Sequence, residues 1–224
     1  MNVKHYMYNE NKYGMNYIVF YPDDITDVPL LVYLHGAGER GKKISHIYRH
    51  GIPKLLKEGR EINAVILCPQ CPEQYVWDNV VETTKNIIDS VSEEFKIKKD
   101  RICITGSSMG GFGTWMMAKT YPSFFASAAP VAGGGMVWRT PKLKTTPILA
   151  VHGTEDDVVP LIYSKLMVDG VKRNGGHAEF IELNGYGHND GIDFAYRNTK
   201  VIDWMLQARR TNFEKVAEIC EDMF

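Results

Sequence analysis

The segment RICITGSSMGGFG, residues 101–113, constrains this chain more than any other stretch, because it joins a β-branched run to a helix through a turn with a serine at its centre. The alternation of Ile102 and Ile104 predicts a buried strand over 101–105, and TWMMAK predicts a helix over 114–119. In such a turn Ser108 must take a strained backbone conformation, and any side chain at Gly106 or Gly110 would collide with the neighbouring strand or helix. The pattern is that of a nucleophile elbow, which presents Oγ of Ser108 at the carboxyl end of a sheet. A helix N-terminus lies beside it, where free N–H groups favour developing negative charge. Ser107 has no glycine two residues before or after it, so the nucleophile is placed at Ser108.

The rest of the chain alternates strand and helix signals. Strands are expected at 17–21, 30–34, 64–68, 126–133, 147–153 and 178–184, besides the one entering the elbow. Helices are expected at 80–95, 161–173 and 194–209, and one over 44–58 that Gly51 and Pro53 must interrupt or restart. This alternation implies an α/β fold, a mainly parallel sheet with helices on both faces. In such sheets reactive groups gather at the carboxyl ends of strands, which directs attention to the loops after Leu34, Thr105, His152 and Asn184. A length of 224 residues, 44% hydrophobic and 24% charged, suits one domain over 1–224.

Several function classes recede. A net charge of -1 gives no broad attraction to phosphate backbones or anionic bilayers, so neither nucleic acid nor membrane is expected as a partner. The opening MNVKHYMYNENKYG lacks the apolar centre of a signal peptide, and no apolar run approaches the roughly 20 residues that span a bilayer; a cytoplasmic location is expected. Cys68, Cys71, Cys103 and Cys220 are then reduced thiols. The CxxC of Cys68 and Cys71 has no second pair and a proline after each cysteine, which reads as structural rather than metal-binding. The tail NFEKVAEICEDMF puts Phe213, Val216, Ile219, Cys220 and Met223 on one helical face, packed on its own domain in preference to a second subunit; the chain is expected to be a monomer or homodimer.

Candidate partners for Ser108 stand in the loops already singled out. GTEDDVVP, after the strand ending at His152, offers Glu155, Asp156 and Asp157, one of which can orient a histidine and stabilise its imidazolium. NGYGHNDG places His188 in a glycine-rich loop able to carry an imidazole over Ser108. His177 precedes a strand and His152 ends one, so both read as structural, and His5, His46 and His50 lie outside the candidate loops. HGAGERG, residues 35–41, supplies backbone N–H groups: Met109 should donate one to an oxyanion and Ala37 a second, each worth about 3 kcal/mol of transition-state stabilisation. His35 itself reads as a structural hydrogen-bonder.

Taken together, PLLVYLHGAGERG, ILCPQCPEQYVW, ITGSSMGGFGTW and HGTEDDVVP resemble successive signature segments of the α/β-hydrolase superfamily. Within it they resemble the small esterase and predicted-peptidase families allied to phospholipase/carboxylesterases and feruloyl esterases. The resemblance covers nearly the whole chain, and the order serine, acid, histidine agrees with it. It implies Asp156 as the acid, four residues beyond the histidine of HGxxD, and His188 from the late GH dipeptide as the base. It also implies that Trp77 lines a pocket, a core role being the alternative.

One departure from many relatives is the short connection 133–147, where they carry a helical cap; little or no lid is expected. Met136, Val137 and Trp138 there either form an apolar wall or pack on the sheet edge. An open site dehydrates a long acyl chain poorly, which favours short-acyl, aryl or carbohydrate-linked esters. The expected activity is that of a serine carboxylesterase acting on a small-molecule ester, with no cofactor and no metal. The alternatives are a small serine peptidase related to prolyl oligopeptidases, with Glu39 binding a peptide amine or pairing with Arg40, and a non-catalytic small-molecule-binding module.

Overall fold

In the computed structural model, which describes residues 1–9 and 13–211, eight strands form one sheet. They are β1 (Asn2–Tyr8), β2 (Met15–Tyr21), β3 (Leu30–Leu34), β4 (Val65–Pro69), β5 (Ile102–Ser107), β6 (Ser127–Val131), β7 (Ile148–Gly153) and β8 (Ala178–Leu183). Their order is β1-β2-β4-β3-β5-β6-β7-β8. Pairings of β1 with β2 and β2 with β4 are antiparallel, and all others are parallel. Six strands, β3 to β8, therefore deliver their carboxyl ends to one edge. The α/β-hydrolase architecture expected from the sequence is the one observed.

Period-two alternation sorts each strand between two cores. Leu30, Val32 and Leu34 of β3 pack with Ile87, Ile88, Trp115 and Met167 on one face of the sheet. Leu31 and Tyr33 pack with Ile52, Ile192, Tyr196 and Met205 on the other. Helices α2 (Val81–Glu94), α3 (Met109–Thr120) and α4 (Ile162–Arg173) cover the first face. Helices α1 (Gly51–Lys57), α5 (His188–Asn198) and α6 (Val201–Gln207) cover the second. Each fully buried Leu, Ile or Val contributes roughly 1.5–3 kcal/mol relative to exposure, so the two faces supply most of the drive to fold.

Differences from the expected elements have local causes. The polar segment at the amino end forms the edge strand β1, whose side chains are mostly exposed; edge strands tolerate a sequence that shows no buried alternation. The helix expected over 44–58 is a 3-10 turn, Ile44–Arg49, followed by α1, with Pro53 in the first turn where its missing N–H is not needed. The last expected helix is split into α5 and α6, and α5 begins at His188 itself. Connection 133–147 holds only a 3-10 segment, Val137–Leu143, with no cap. Cys68, Cys71 and Cys103 are free and buried; Cys220 and the apolar face of Phe213, Val216, Ile219 and Met223 lie outside the described residues. No described helix is long and apolar enough to cross a membrane.

Two features of the β3 edge hold the site's framework. A Cβ on Gly110 would lie 1.8 Å from the Leu34 carbonyl oxygen, and one on Gly106 2.4 Å from the Gly110 carbonyl oxygen, so strand and helix meet backbone to backbone. His35, which follows β3, is buried with both ring nitrogens engaged: Nδ1 donates to Gly36 O at 2.6 Å, and Nε2 accepts from the Cys71 N–H at 3.0 Å. Burial pushes its imidazole down from 6.5 to about 4, against the opposing Gly36 bond. It is thus the structural hydrogen-bonder the sequence suggested.

Gly110→Ala should leave little soluble folded protein, and any recovered fraction should melt well below the native chain in thermal unfolding. For His35 the unfolded chain takes up a proton near pH 6.5 while the native state resists until about 4. Its stabilisation is therefore full above pH 6.5 and lost as pH falls through that window, by about 3 kcal/mol. Denaturant titrations from pH 7 to 4 should show this slope, and His35→Asn should flatten it.

Candidate active site

Four carboxyl-terminal strand ends bring the predicted residues together. Ser108 caps α3 with φ 55° and ψ -120°, its N–H bonded to Val131 O at 3.0 Å and its carbonyl accepting from the Phe112 N–H at 3.0 Å. That strained conformation in a non-glycine residue turns Oγ out of the sheet edge. Oγ lies 2.9 Å from His188 Nε2, and His188 Nδ1 lies 2.7 Å from Asp156 Oδ2. Ser107, by contrast, is buried with Oγ 3.0 Å from the Tyr33 hydroxyl.

Among the three clustered acids, Glu155 and Asp157 are exposed while Asp156 is buried. Its Oδ1 accepts the N–H groups of Val158 at 3.0 Å and Val159 at 2.8 Å, an Asx-type turn that points Oδ2 at His188. A second imidazole reaches the same oxygen: His152 Nε2 stands 3.2 Å from Oδ2 while bonding Val159 O at 2.8 Å. Burial lowers the His152 pKa, and its Nδ1 lies 2.7 Å from the Ser164 hydroxyl, which in turn reaches Gly133 O at 2.7 Å. His152 is structural, as expected, and its structural task is to hold Asp156.

His188 does not sit on a swinging loop, as its glycine-rich surroundings suggested, but at the first position of α5. Backbone bonds from Thr154 N to Leu183 O and from Glu155 N to Tyr186 O, each 3.0 Å, tie the acid loop to the histidine loop. The close approach needs Gly153, where a Cβ would meet Tyr186 O at 2.2 Å. The acid and the base are thus built on one stitched unit.

Ala37 opens the 3-10 turn Ala37–Glu39 and Met109 opens α3. As first residues of helical turns, neither N–H has an intrahelical partner, so both are available to an oxygen in the cleft. The cleft itself, about 380 Å³, is lined by Gly36, Ala37, Ser108 and His188, by Val158, Asn189 and Ile192, and by Glu39, Arg49 and His50. The sequence placed His50 outside the candidate loops and singled out nothing at Arg49; both line the cleft, from the end of the 3-10 turn that precedes α1. A lone His-Gly pair in an unconvincing helix gave no signal of this.

Trp77 requires correction. It is 1% exposed, donates Nε1–H to His35 O at 3.0 Å and packs edge-on against the His35 ring, and it does not line the cleft. A ring filling the space above Gly113 cannot also face substrate. Glu39 does line the cleft, and it does not pair with Arg40, whose Nε donates to Ala37 O. Met136 and Trp138 are largely exposed and stand away from the cleft, whereas Val137 packs on the core.

The chain is similar to several known proteins. The model of the phospholipase/carboxylesterase family matches residues 70–194. An acyl-protein thioesterase 1 homolog of Dictyostelium discoideum is 32% identical over 218 residues, covering 79% of this chain and 90% of that protein. A bifunctional acetylxylan esterase/xylanase of Neocallimastix patriciarum is 28% identical over 154 residues, covering 65% of this chain but only 22% of that protein. The crystal structure of a thermostable esterase superposes with a TM-score of 0.80 at 28% identity, covering 93% of this chain and 63% of the other. The chain belongs to the phospholipase/carboxylesterase family and is a serine ester hydrolase of the α/β-hydrolase fold.

Proposed function

We propose that the chain hydrolyses small carboxylic esters of short-acyl, aryl or carbohydrate-linked type through a Ser108–His188–Asp156 triad. The observation that carries this reading is the continuous bond series from Ser108 Oγ to His188 Nε2 at 2.9 Å and from His188 Nδ1 to Asp156 Oδ2 at 2.7 Å. Ser108 attacks the ester carbonyl as His188 takes the Oγ proton at Nε2. Asp156, whose Oδ1 is already fixed by two backbone N–H groups, keeps the Nδ1–H tautomer and stabilises the imidazolium.

The carbonyl oxygen becomes an oxyanion between the N–H groups of Ala37 and Met109, and the N-terminus of the 12-residue helix α3 adds a favourable field. His188 then passes its proton to the departing alkoxide. A water molecule, deprotonated by the same imidazole, releases the acid and restores Ser108. The Ser108 proton leaves with the alcohol and a proton from water replaces it on Oγ, so the enzyme ends the cycle as it began.

A preference for small acyl groups is supported by the modest cleft and by its open rim, where Val158 is 63% exposed. The short connection Val137–Leu143 folds beside α4 and contributes nothing to the walls around Ser108, so among the described residues no element closes over a long chain. The same cleft accommodates an oxygen or a sulfur leaving group.

Ser108→Ala should lower kcat for p-nitrophenyl acetate by at least about 10³-fold with an unchanged melting temperature and lost labelling by a fluorophosphonate. Turnover persisting near the native rate would refute the assignment. Asp156→Asn should fold normally and lose on the order of 10⁴ in kcat, because the amide imposes the wrong histidine tautomer. A loss below tenfold would place the acid elsewhere.

A further inference from the structure

Among the described residues, Glu39 is the one buried acid lining the cleft that the proposed cycle does not use. It ends the 3-10 turn that begins at Ala37 and is 4% exposed, yet it lines the same cavity as Ser108 and His188. A methyl group placed on Gly36 would lie 3.1 Å from Glu39 Oε2 and 3.5 Å from Ser108 Cβ. Carboxyl and nucleophile thus crowd the same side of Gly36. Gln70 secures this position by donating Nε2–H to Glu39 O at 2.9 Å and Lys43 O at 2.8 Å.

Few groups compensate the carboxyl for its burial. Among the described residues, its ion-pair-distance neighbour is His35 Nδ1 at 3.9 Å, and that proton goes to the Gly36 carbonyl. Arg49 spends its guanidinium on Gly38 O and Arg40 on Ala37 O and Tyr75 O. Desolvation raises the Glu39 pKa, opposed by His50, Arg49 and backbone N–H groups. A buried acceptor in this condition gains substantially when a donor reaches it.

We propose that Glu39 is a specificity-determining residue that accepts a hydrogen bond from a hydroxyl group carried by the substrate close to its reacting carbonyl. This rests on Ser108 being the nucleophile. The charges around Glu39 select the donor. Arg49 and His50 share its wall, and the His50 pKa is raised by Asp193, whose Oδ1 lies 3.3 Å from Nδ1. The Arg49 guanidinium disfavours an ammonium, which counts against recognition of a peptide amine, while Glu39 itself disfavours an anion. A neutral hydroxyl meets neither objection, and Asn189 opposite offers it a second polar neighbour.

The hydroxyl can belong to the alcohol or to the acyl part, and two matched pairs separate these sources: 2-hydroxyethyl acetate against propyl acetate, and ethyl glycolate against ethyl propionate. Each kcat/KM is divided by the alkaline hydrolysis rate of the same ester to remove intrinsic reactivity. Fluorophosphonate labelling of the native chain and of Ser108→Ala is run first, so that failure of the nucleophile assignment is seen separately.

The native enzyme should favour the hydroxylated member of one pair by about tenfold or more. Glu39→Leu should reduce that ratio at least about threefold, and Glu39→Gln, which keeps an acceptor oxygen, should retain more of it than Leu. A native ratio below about two in both pairs, or a ratio that Glu39→Leu leaves intact, overturns the proposal. Should Glu39→Leu fail to fold, the native ratio and its reduction in Glu39→Asp, which withdraws the carboxyl by one methylene, decide the question.

Discussion

The backbone contact between β3 and α3 is the constraint on which the site rests. With the Leu34 carbonyl so close to Gly110, the helix can begin only where it does, and Ser108 has no relaxed conformation available. Three consequences share this cause. Oγ projects from the sheet edge, Met109 becomes the first residue of α3 with no intrahelical partner for its N–H, and the His35 carbonyl is met by the Trp77 indole. A looser approach would relieve Ser108 and misplace all three. The energy for holding a strained residue comes from the apolar layers on both sides of the sheet, which are indifferent to the chemistry at its edge.

Electrostatics at the other half of the site follow a different logic. Asp156 is stripped of water but not of partners: two amides hold Oδ1, and two imidazoles approach Oδ2. A buried carboxylate is tolerable when its lone pairs are filled with good geometry, and here the filling also fixes direction. His152, kept neutral by burial, supplies a fixed dipole where a second full charge would compete with His188 for the same oxygen. One histidine holds the acid while another is free to take and release a proton.

Much of this was legible in the residues because the constraints involved are local. GSSMGG encodes the elbow through sterics alone, and the strands that carry Ser108, Asp156 and His188 announce themselves as short β-branched runs. Choosing Asp156 over Glu155 and Asp157 was different, since an acidic turn has no periodicity; the residues alone left the three open, the HGxxD resemblance pointed to Asp156, and its burial and the Val158 and Val159 amides give the physical distinction. Trp77 misled for the same reason, a large aromatic beside a site being equally suited to wall or support. His50 and Arg49 were missed because their arrival at the cleft depends on how a broken helix docks against α5, a tertiary event with no signature in sequence spacing. Strand β1 escaped notice because an edge position asks little of side chains.

The stitched loops after β7 and β8 divide the cleft into two regions with different freedom to change. Acid and base share backbone bonds across Thr154, Glu155 and Tyr186, so an alteration on that side disturbs the proton path. In the proposed cycle the turn after β3 contributes one amide and otherwise only surface, and Gln70 holds it in place. Drift in substrate choice can therefore accumulate at Glu39 and Arg49, whereas His50 is tied through Asp193 to α5, the helix that begins at His188, and an engineer seeking new ester selectivity would rewrite the first two before touching the third.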